Sequence, residues 1–155
     1  MRRTVSSFDP VEHRLEFVTE IGGVRFYNDS KATSVDATLK ALEAFSTEDG
    51  NVVLILGGRG KKAPYAPLES LVRSKVRKLI LIGEDAGTIE KELGAFAASE
   101  RASDMSTGVK SALSVAERGD VVLLAPACAS FDMFESFEHR GRVFKEEVLK
   151  LRSQI

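Results

Sequence analysis

The chain has 155 residues, 43% of them hydrophobic, and its 22 basic and 23 acidic side chains give a net charge of -1. This predicts one domain with a hydrophobic core and excludes a general electrostatic attraction to nucleic acid or anionic membranes. The single cysteine excludes an internal disulfide and favours a reducing cytoplasm. No apolar run approaches the roughly 20 residues that span a bilayer, and no signal peptide is evident.

The first predicted element is a β-hairpin. Residues 15–21 and 24–28 both alternate apolar and polar side chains, and a Gly-Gly pair between them supplies a tight turn. A helix is predicted over residues 34–45, because its apolar side chains recur on one face. Its N-cap is either Thr33 or Ser34, whose hydroxyl can accept from the free N–H groups of the first turn.

Apolar strands and amphipathic helices then alternate along the chain. Wholly apolar runs predict strands buried on both faces at residues 52–56, 78–83 and 121–125. Helices are predicted at residues 67–74, 84–93 and 106–119, the last of them capped by Gly119, with a weaker strand near Phe96. A loop and a final helix follow, whose apolar face includes Phe144, Val148 and Leu151.

This alternation predicts an α/β fold: an open, mainly parallel, Rossmann-like sheet with helices on both faces, opening with the hairpin. Ligands bind such sheets beyond the carboxyl ends of the strands. Three polar loops leave those ends, NDSKAT at residues 28–33, GGRGKK at 57–62 and PACAS at 126–130. The sequence therefore predicts a ligand site where these loops meet.

The loop at residues 28–34 combines a carboxylate, a cation and hydroxyls at a helix N-terminus, where free N–H groups favour an anion. A plain helix start would use the same Asp and Ser residues as turn formers. Thr33 could either cap the helix or face a substrate carboxylate. The residues alone leave both interpretations open.

The glycine-rich loop at residues 57–62 is not a Walker motif, because its glycine spacing is too short and Lys62 stands where Ser or Thr is required. It matches G-x-G-x-x-A formally, with Glu84 at a plausible distance for a ribose acid, although Pro64 interrupts the helix that a dinucleotide needs. A free-standing nucleotide- or dinucleotide-binding module is therefore an alternative. A structural domain whose loops only cap helices is another.

Residues 126–141 place Ser130 in a turn of small residues after a buried strand. Three phenylalanines follow at spacing i, i+3 and i+6, and two of them are expected in the core: Phe131, Phe134 and Phe137. Cys128 fits a small buried thiol better than a catalytic nucleophile. His139 and Arg140 are expected on an exposed helical turn, and no cluster has metal-site spacing.

Four stretches together resemble the C-terminal domain of the Mur ligase family, in its branch of UDP-N-acetylmuramoyl-L-alanine:D-glutamate ligases. They are HRLE at 13–16, NDSKATS at 28–34, GGRGKK at 57–62 and PACASFDMFESFEHRG at 126–141. DSKAT and PACASFD distinguish this branch from the sister Mur ligases and from folylpolyglutamate synthetases. The resemblance implies one domain over residues 11–155, with residues 1–10 as a linker or an artificial boundary, and upstream N-terminal and central ATPase domains.

The resemblance implies an ATP-dependent ligase that adds D-glutamate to UDP-N-acetylmuramoyl-L-alanine through an acyl phosphate. This reaction belongs to peptidoglycan precursor synthesis, and thus to cell-wall biogenesis, cell shape, cell division and the cell cycle. ATP acts with Mg²⁺, which the central domain mainly holds. A cytoplasmic monomer without nucleic-acid or membrane partners is implied, and this domain alone is expected to be inactive.

The resemblance also implies roles for residues. Asp29 contacts the ATP ribose, Lys31 lies near the phosphates, and Arg14 reaches the nucleotide with His13 beside it. His13 and Lys31 are the implied catalytic residues. No metal ligand is implied in this domain.

For D-glutamate, the resemblance implies that Thr33 and Lys61 hold one carboxylate. Ser130 and the backbone near Phe137 hold the other, with Phe131 beside them. A dianion requires such separated donors. Two positions depart from the family pattern: Ser34 stands where Asn is usual, and Arg59 where Asp is usual.

Overall fold

A computed structural model describes residues 11–46 and 51–155. The strands are β1 (Glu16–Ile21), β2 (Val24–Asn28), β3 (Val52–Gly57), β4 (Val76–Ile82), β5 (Ala98–Arg101) and β6 (Val121–Leu124). The helices are α1 (Val35–Glu43), α2 (Glu69–Lys75), α3 (Ala86–Leu93), α4 (Met105–Val115) and α5 (Phe137–Ser153), and a short 3₁₀ turn at Ala66–Leu68 precedes α2. The linker predicted at residues 1–10 lies outside the described residues.

The strands form one sheet in the order β1-β2-β6-β3-β4-β5. β1 pairs antiparallel with β2, whereas the pairs from β2 to β5 are all parallel. The predicted open, mainly parallel α/β sheet with an opening hairpin is confirmed. Gly22 and Gly23 have φ angles of 57° and 84°. Positive φ at both positions is typical of the two-residue turn whose twist matches that of the flanking strands.

The sheet separates two hydrophobic cores, because successive side chains of each buried strand point to opposite faces. In β3, Leu54 and Leu56 pack into the core that α1, α2 and α3 cover. Val53 and Ile55 pack into the core that α4 and α5 cover. No helix in residues 11–46 or 51–155 has both the length and the apolar character needed to cross a bilayer.

Most predicted elements are within about two residues of the observed bounds, and the end of α4 and the weak strand need correction. Helix α4 ends at Val115 with Ala116 as its C-cap, so the prediction of Gly119 as the cap was wrong. Gly119 instead lies in the turn before β6 with a φ of 95°, and its N–H donates to the Gly23 carbonyl oxygen at 2.9 Å. The weaker strand predicted near Phe96 begins two residues later, as the edge strand β5.

Candidate functional site

The three polar loops leave adjacent strands, because β2, β6 and β3 lie side by side and run in parallel. Backbone hydrogen bonds join the loops beyond the strand ends. Gly57 N–H donates to the Pro126 carbonyl at 2.9 Å, and Ala127 N–H donates to the Ala32 carbonyl at 2.9 Å. The loop at 126–130 therefore lies between the other two, as the predicted site requires.

Backbone strain concentrates around this edge. Among the described non-glycine residues, positive φ angles occur at His13 (69°), Leu15 (42°), Lys62 (63°) and Ala127 (63°). Such conformations cost free energy and persist where surrounding contacts impose them. Lys62 and Ala127 belong to two of the three loops, and the His13 carbonyl accepts from Lys31 N–H of the third at 3.0 Å.

The structure decides between the two predicted N-caps of α1. Ser34 is the cap, and its hydroxyl accepts from Ala37 N–H at 3.1 Å. The Ser that replaces the family's usual Asn therefore still caps the helix. Thr33 is half-buried beside it, and its hydroxyl makes no hydrogen bond to the described residues, so it remains available to a ligand.

His13 is almost fully buried at this edge. Its Nδ1 lies 2.9 Å from Asn28 Nδ2, and an amide N–H can only donate, so the neutral ring carries its proton on Nε2. Burial lowers the pKa of His13 below its usual value, against the opposing charge of Glu12. The imidazole is therefore neutral at pH 7 and fixed in one tautomer.

Asp29 is also buried, at 6% exposure, at the start of the loop that follows β2. Desolvation raises the pKa of its carboxyl group to about 6, although a hydrogen bond from the Leu15 backbone and the charge of Arg14 oppose the shift. Arg14 itself is exposed. Asp29 is therefore a buried acceptor with an exposed cation, Arg14, near it.

The raised pKa of Asp29 predicts a pH-dependent effect of Asp29→Asn. The folded-state pKa of about 6 exceeds the ordinary value of 3.8, so the stability contributed by this group falls as pH rises between these values. Urea unfolding should show the variant equal to wild type near pH 3, below both values, and more stable by about 1 to 2 kcal/mol at pH 8. Asp36→Asn, at an exposed position of α1, should change little between the two pH values; an equal shift there would contradict the assignment.

Lys31, Phe137 and Ser30 connect the loop after β2 to the start of α5. The Lys31 ammonium lies 5.7 Å from the centre of the Phe137 ring, within the range of a cation–π contact. The Ser30 hydroxyl donates to the Phe137 carbonyl oxygen at 2.7 Å. Phe137 also contacts the His13 ring edge to face, with 6.1 Å between ring centres. The structure therefore brings His13, Lys31 and Phe137 together.

Arg140 is buried, at 1% exposure, so its predicted place on an exposed helical turn was wrong. Its Nε donates to the Ser30 hydroxyl at 2.9 Å, and its two terminal nitrogens donate to the Cys128 carbonyl at 3.0 Å and the Ser30 carbonyl at 2.9 Å. Burial lowers the pKa of Arg140 to about 10, so the guanidinium is still protonated at pH 7. It ties α5 to two of the site loops.

The loops that carry Lys61 and Ser130 are joined by a two-residue antiparallel bridge between Arg59 and Ala129. Lys61 is exposed, whereas Ser130 is 2% exposed. Within the described chain, the Ser130 hydroxyl makes no hydrogen bond, and Lys61 forms no ion pair. The buried side-chain atoms that lack a hydrogen-bond partner in the described chain do not include this hydroxyl, so it is accessible and available to a ligand.

Two phenylalanines of this region were predicted in the core, but only Phe134 packs against it, on the side that α4 and α5 cover. Phe131 is 64% exposed, and Phe134 and Phe137 are half-buried. The spacing was misleading because α5 begins only at Phe137, and residues 130–136 form a loop without helical periodicity. Phe131 thus lies at the surface beside Ser130.

Asp132 follows in the same loop and was not singled out by the sequence. Its Oδ2 accepts from Glu84 N–H at 2.9 Å, which links this loop to the one after β4. Its Oδ1 is buried without a hydrogen-bond partner among the described residues. The Asp132 carboxylate therefore supports the loop through Oδ2, and its Oδ1 can still accept a hydrogen bond.

Tyr65, Asp85 and Cys128 form a cluster beneath the loops in which Tyr65 and Cys128 are buried and Asp85 is half-buried, and no sequence motif marked it. The Tyr65 hydroxyl donates to Asp85 Oδ2 and lies 3.1 Å from Cys128 Sγ. Burial raises the pKa of the Cys128 thiol to about 11. Since the thiolate is the reactive form, Cys128 is a structural thiol, as predicted.

One group of described side chains has metal-like geometry. Potential ligand atoms of Glu12, His13 and Glu16 lie within 4.8 Å of one another. The Lys145 ammonium lies 2.7 Å from Glu12 Oε2 and 3.1 Å from Glu16 Oε2, so a cation of the protein already neutralises both carboxylates. The implied absence of a metal ligand in this domain stays a prediction.

A pocket of about 510 Å³ opens beside the glycine-rich loop, lined by residues that include Arg59, Lys62, Glu84 and Asp85. Glu84, the candidate ribose acid of the dinucleotide alternative, lies 3.4 Å from the Arg59 guanidinium. The helix that would receive a pyrophosphate begins only at Glu69. This mixed-charge geometry does not favour the dinucleotide alternative.

These features define an α/β domain in which three polar loops meet at the carboxyl edge of the sheet and form a candidate ligand site. A family model described as "Mur ligase, glutamate ligase domain" matches residues 13–128. The chain belongs to this family, which confirms the resemblance stated from the sequence.

Curated relatives cover nearly the whole chain. It is 51% identical over 154 residues to the UDP-N-acetylmuramoylalanine--D-glutamate ligase of Koribacter versatilis, over 99% of this chain and 33% of that protein. It is 52% identical over 141 residues to the ligase of the same name from Anaeromyxobacter dehalogenans, over 91% of this chain and 30% of that protein. The chain spans about a third of the length of the curated relatives it matches.

Solved structures share the fold at low identity. A murein peptide ligase from Psychrobacter arcticus superposes with a TM-score of 0.65 at 13% identity, over 97% of this chain and 32% of that one. A bifunctional folylpolyglutamate synthase/dihydrofolate synthase from Yersinia pestis, complexed with AMPPNP and Mn, superposes with a TM-score of 0.62 at 18% identity. The match covers 88% of this chain and 31% of that one. These likenesses confirm the predicted fold.

Proposed function

We propose that this chain is the C-terminal domain of a ligase that joins D-glutamate to UDP-N-acetylmuramoyl-L-alanine through an acyl phosphate. In that ligase the domain would bind D-glutamate and close over ATP. The relatives' names and the family support the reaction. The observation that carries the substrate site is Ser130, a nearly buried residue whose accessible hydroxyl has no hydrogen-bond partner among the described residues, where three polar loops meet. The domain spans residues 11–155, and the chain alone should not form the amide.

For D-glutamate, Thr33 and Lys61 would hold one carboxylate, since an exposed ammonium and a free hydroxyl are suited to an anion. Ser130 and the backbone at Phe137 would hold the other, with Phe131 exposed beside them. The protein's contribution is mainly to position the two reactants and to neutralise charge.

For the nucleotide, the residues present fit a ribose and phosphates. Asp29 offers a fixed acceptor to a ribose hydroxyl, and the exposed side chains of Arg14 and Lys31 offer cations to phosphate oxygens. ATP would supply the phosphoryl group that activates the carboxylate, with Mg²⁺ held mainly by an upstream domain. His13 and Lys31 would act next to the reacting groups, His13 as a neutral imidazole.

The proposal extends to biology as the family implies it. The enzyme would act as a cytoplasmic monomer in peptidoglycan precursor synthesis, and so in cell-wall biogenesis, cell shape, cell division and the cell cycle. Nucleic acid and membranes are not expected partners.

The test measures D-glutamate-dependent phosphate release by the full-length ligase that carries this domain. Lys61→Ala and Ser130→Ala should each raise the KM for D-glutamate by about 10- to 100-fold, because each removes a donor to a carboxylate. The KM for ATP should change much less. Lys62→Gln is the matched control, because it removes the charge of the residue next to Lys61 and leaves the backbone of the loop unchanged. An unchanged KM for D-glutamate in both site variants would reject the assigned pocket.

A further inference from the structure

The loop segment that carries Lys61 is attached at both of its ends. At one end, Arg59 N–H donates to the Ala129 carbonyl at 2.9 Å, and Ala129 N–H donates back to the Arg59 carbonyl at 3.0 Å. Ala129 is the residue before Ser130. This bridge fixes the start of the segment against the Ser130 loop.

At the other end, Tyr65 is 2% exposed, and its hydroxyl donates to Asp85 Oδ2 and contacts Cys128 Sγ at 3.1 Å. Its backbone N–H donates to Glu92 Oε1 at 2.7 Å. One phenolic oxygen thus connects the loops that follow β3, β4 and β6. Lys61 lies between this attachment and the bridge at Arg59.

Asp85 extends the contact from Tyr65 to the backbone next to Lys61. A Cβ added to Gly60 would collide with the Asp85 carboxylate, so that carboxylate packs directly on the Gly60 backbone. Asp85 N–H in turn donates to the Gly58 carbonyl at 2.9 Å. The position of Gly60 therefore depends on the carboxylate that the Tyr65 hydroxyl holds.

We propose that the Tyr65 hydroxyl is a positioning group that fixes the distance between Lys61 and Ser130, and so selects the length of the dicarboxylate bound between them. This inference rests on the proposed function, in which those two residues hold opposite carboxylates. Glutamate and aspartate differ by one methylene, so a fixed spacing discriminates between them and a loosened spacing discriminates less. One methylene is typically worth about 10- to 200-fold in specificity.

The test is Tyr65→Phe in the full-length ligase, which removes one oxygen and keeps the ring. The KM for D-glutamate should rise about 5- to 10-fold, with kcat within about 2-fold of wild type. The preference for D-glutamate over D-aspartate in kcat/KM should fall by about 5- to 10-fold. Tyr27→Phe is the matched control, because Tyr27 is the chain's other tyrosine and packs between Phe17 and Phe45; it should retain wild-type values.

Amide hydrogen exchange provides a measurement independent of turnover. In Tyr65→Phe, the amides of Arg59 and Ala129 should exchange faster than in wild type. The reason is that the segment between them and residue 65 is no longer held at its other end by the Tyr65 hydroxyl. Asp85→Asn, which keeps an acceptor but loses the charge, should produce the same changes at smaller size. It also serves as the second variant if Tyr65→Phe does not fold.

Two results overturn the inference. One is a folded Tyr65→Phe enzyme with wild-type discrimination between D-glutamate and D-aspartate. The other is unchanged exchange at Arg59 and Ala129. A wild-type enzyme without D-glutamate-dependent phosphate release would instead overturn the proposed function, and the exchange measurement would then decide by itself whether Tyr65 holds the loop.

Discussion

Replacing Arg140 by methionine should lower the free energy of unfolding by about 4 kcal/mol, because it removes a charged donor from buried acceptors. The Ser30 hydroxyl, the Ser30 carbonyl and the Cys128 carbonyl would each lose the guanidinium. Methionine fills much of the volume with an apolar chain, so the loss reports mainly on hydrogen bonding. Urea unfolding of variant and wild type at pH 7 measures the difference.

Two further variants define the cause. Arg140→Lys keeps the charge but cannot reach three separated acceptors, so it should lose about 2 kcal/mol. Arg142→Met, at an exposed position of α5, should stay within about 0.5 kcal/mol of wild type. A loss below about 1 kcal/mol in Arg140→Met would show that the acceptors find other partners, and that the loops do not depend on this residue.

Gly141→Ala should destabilise the protein by about 2 to 3 kcal/mol, although alanine is the better helix former. A Cβ at this position would collide with His13 Nδ1 and lie 2.7 Å from His13 Cε1 and 3.1 Å from Asn28 Nδ2. The imidazole would have to leave its hydrogen bond to Asn28. In the full-length ligase, turnover should fall with the displacement of His13.

Gly108→Ala is the matched control, because Gly108 lies inside α4 and its Cβ would meet only ordinary contacts, the nearest at 3.6 Å. It should be neutral or stabilising by up to about 1 kcal/mol, as helix propensity alone predicts. Thermal unfolding of both variants separates the two effects. If both glycine variants gained stability, the close approach of α5 to His13 would be wrong.

The elements that local pattern determines were predictable from the sequence. The predicted hairpin strand at residues 24–28 has the bounds of β2, Val24–Asn28, and the wholly apolar runs became β3, β4 and β6. The meeting of the three loops also followed, because it depends only on strand direction and adjacency. Ser34 was one of two predicted caps, and choosing between them required coordinates.

The parts of the site that depend on distant partners were not predictable. Arg140 has the helical position and charge of a surface residue, and its burial is explained by acceptors outside its helix, at Cys128 and at Ser30, 110 positions earlier in the chain. Tyr65 meets Cys128 across 63 positions, without any motif to indicate the contact. Periodicity describes one element at a time, so it cannot identify polar contacts between loops.

The position of β6 in the sheet has a consequence for biosynthesis. This strand comes from the last quarter of the chain, yet it pairs with both β2 and β3. Until residues 121–124 have left the ribosome, the hairpin and the β3–β5 block lack the strand that joins them. Such long-range pairing slows folding, and a nascent chain stalled before residue 121 would expose two unpaired strand edges to aggregation.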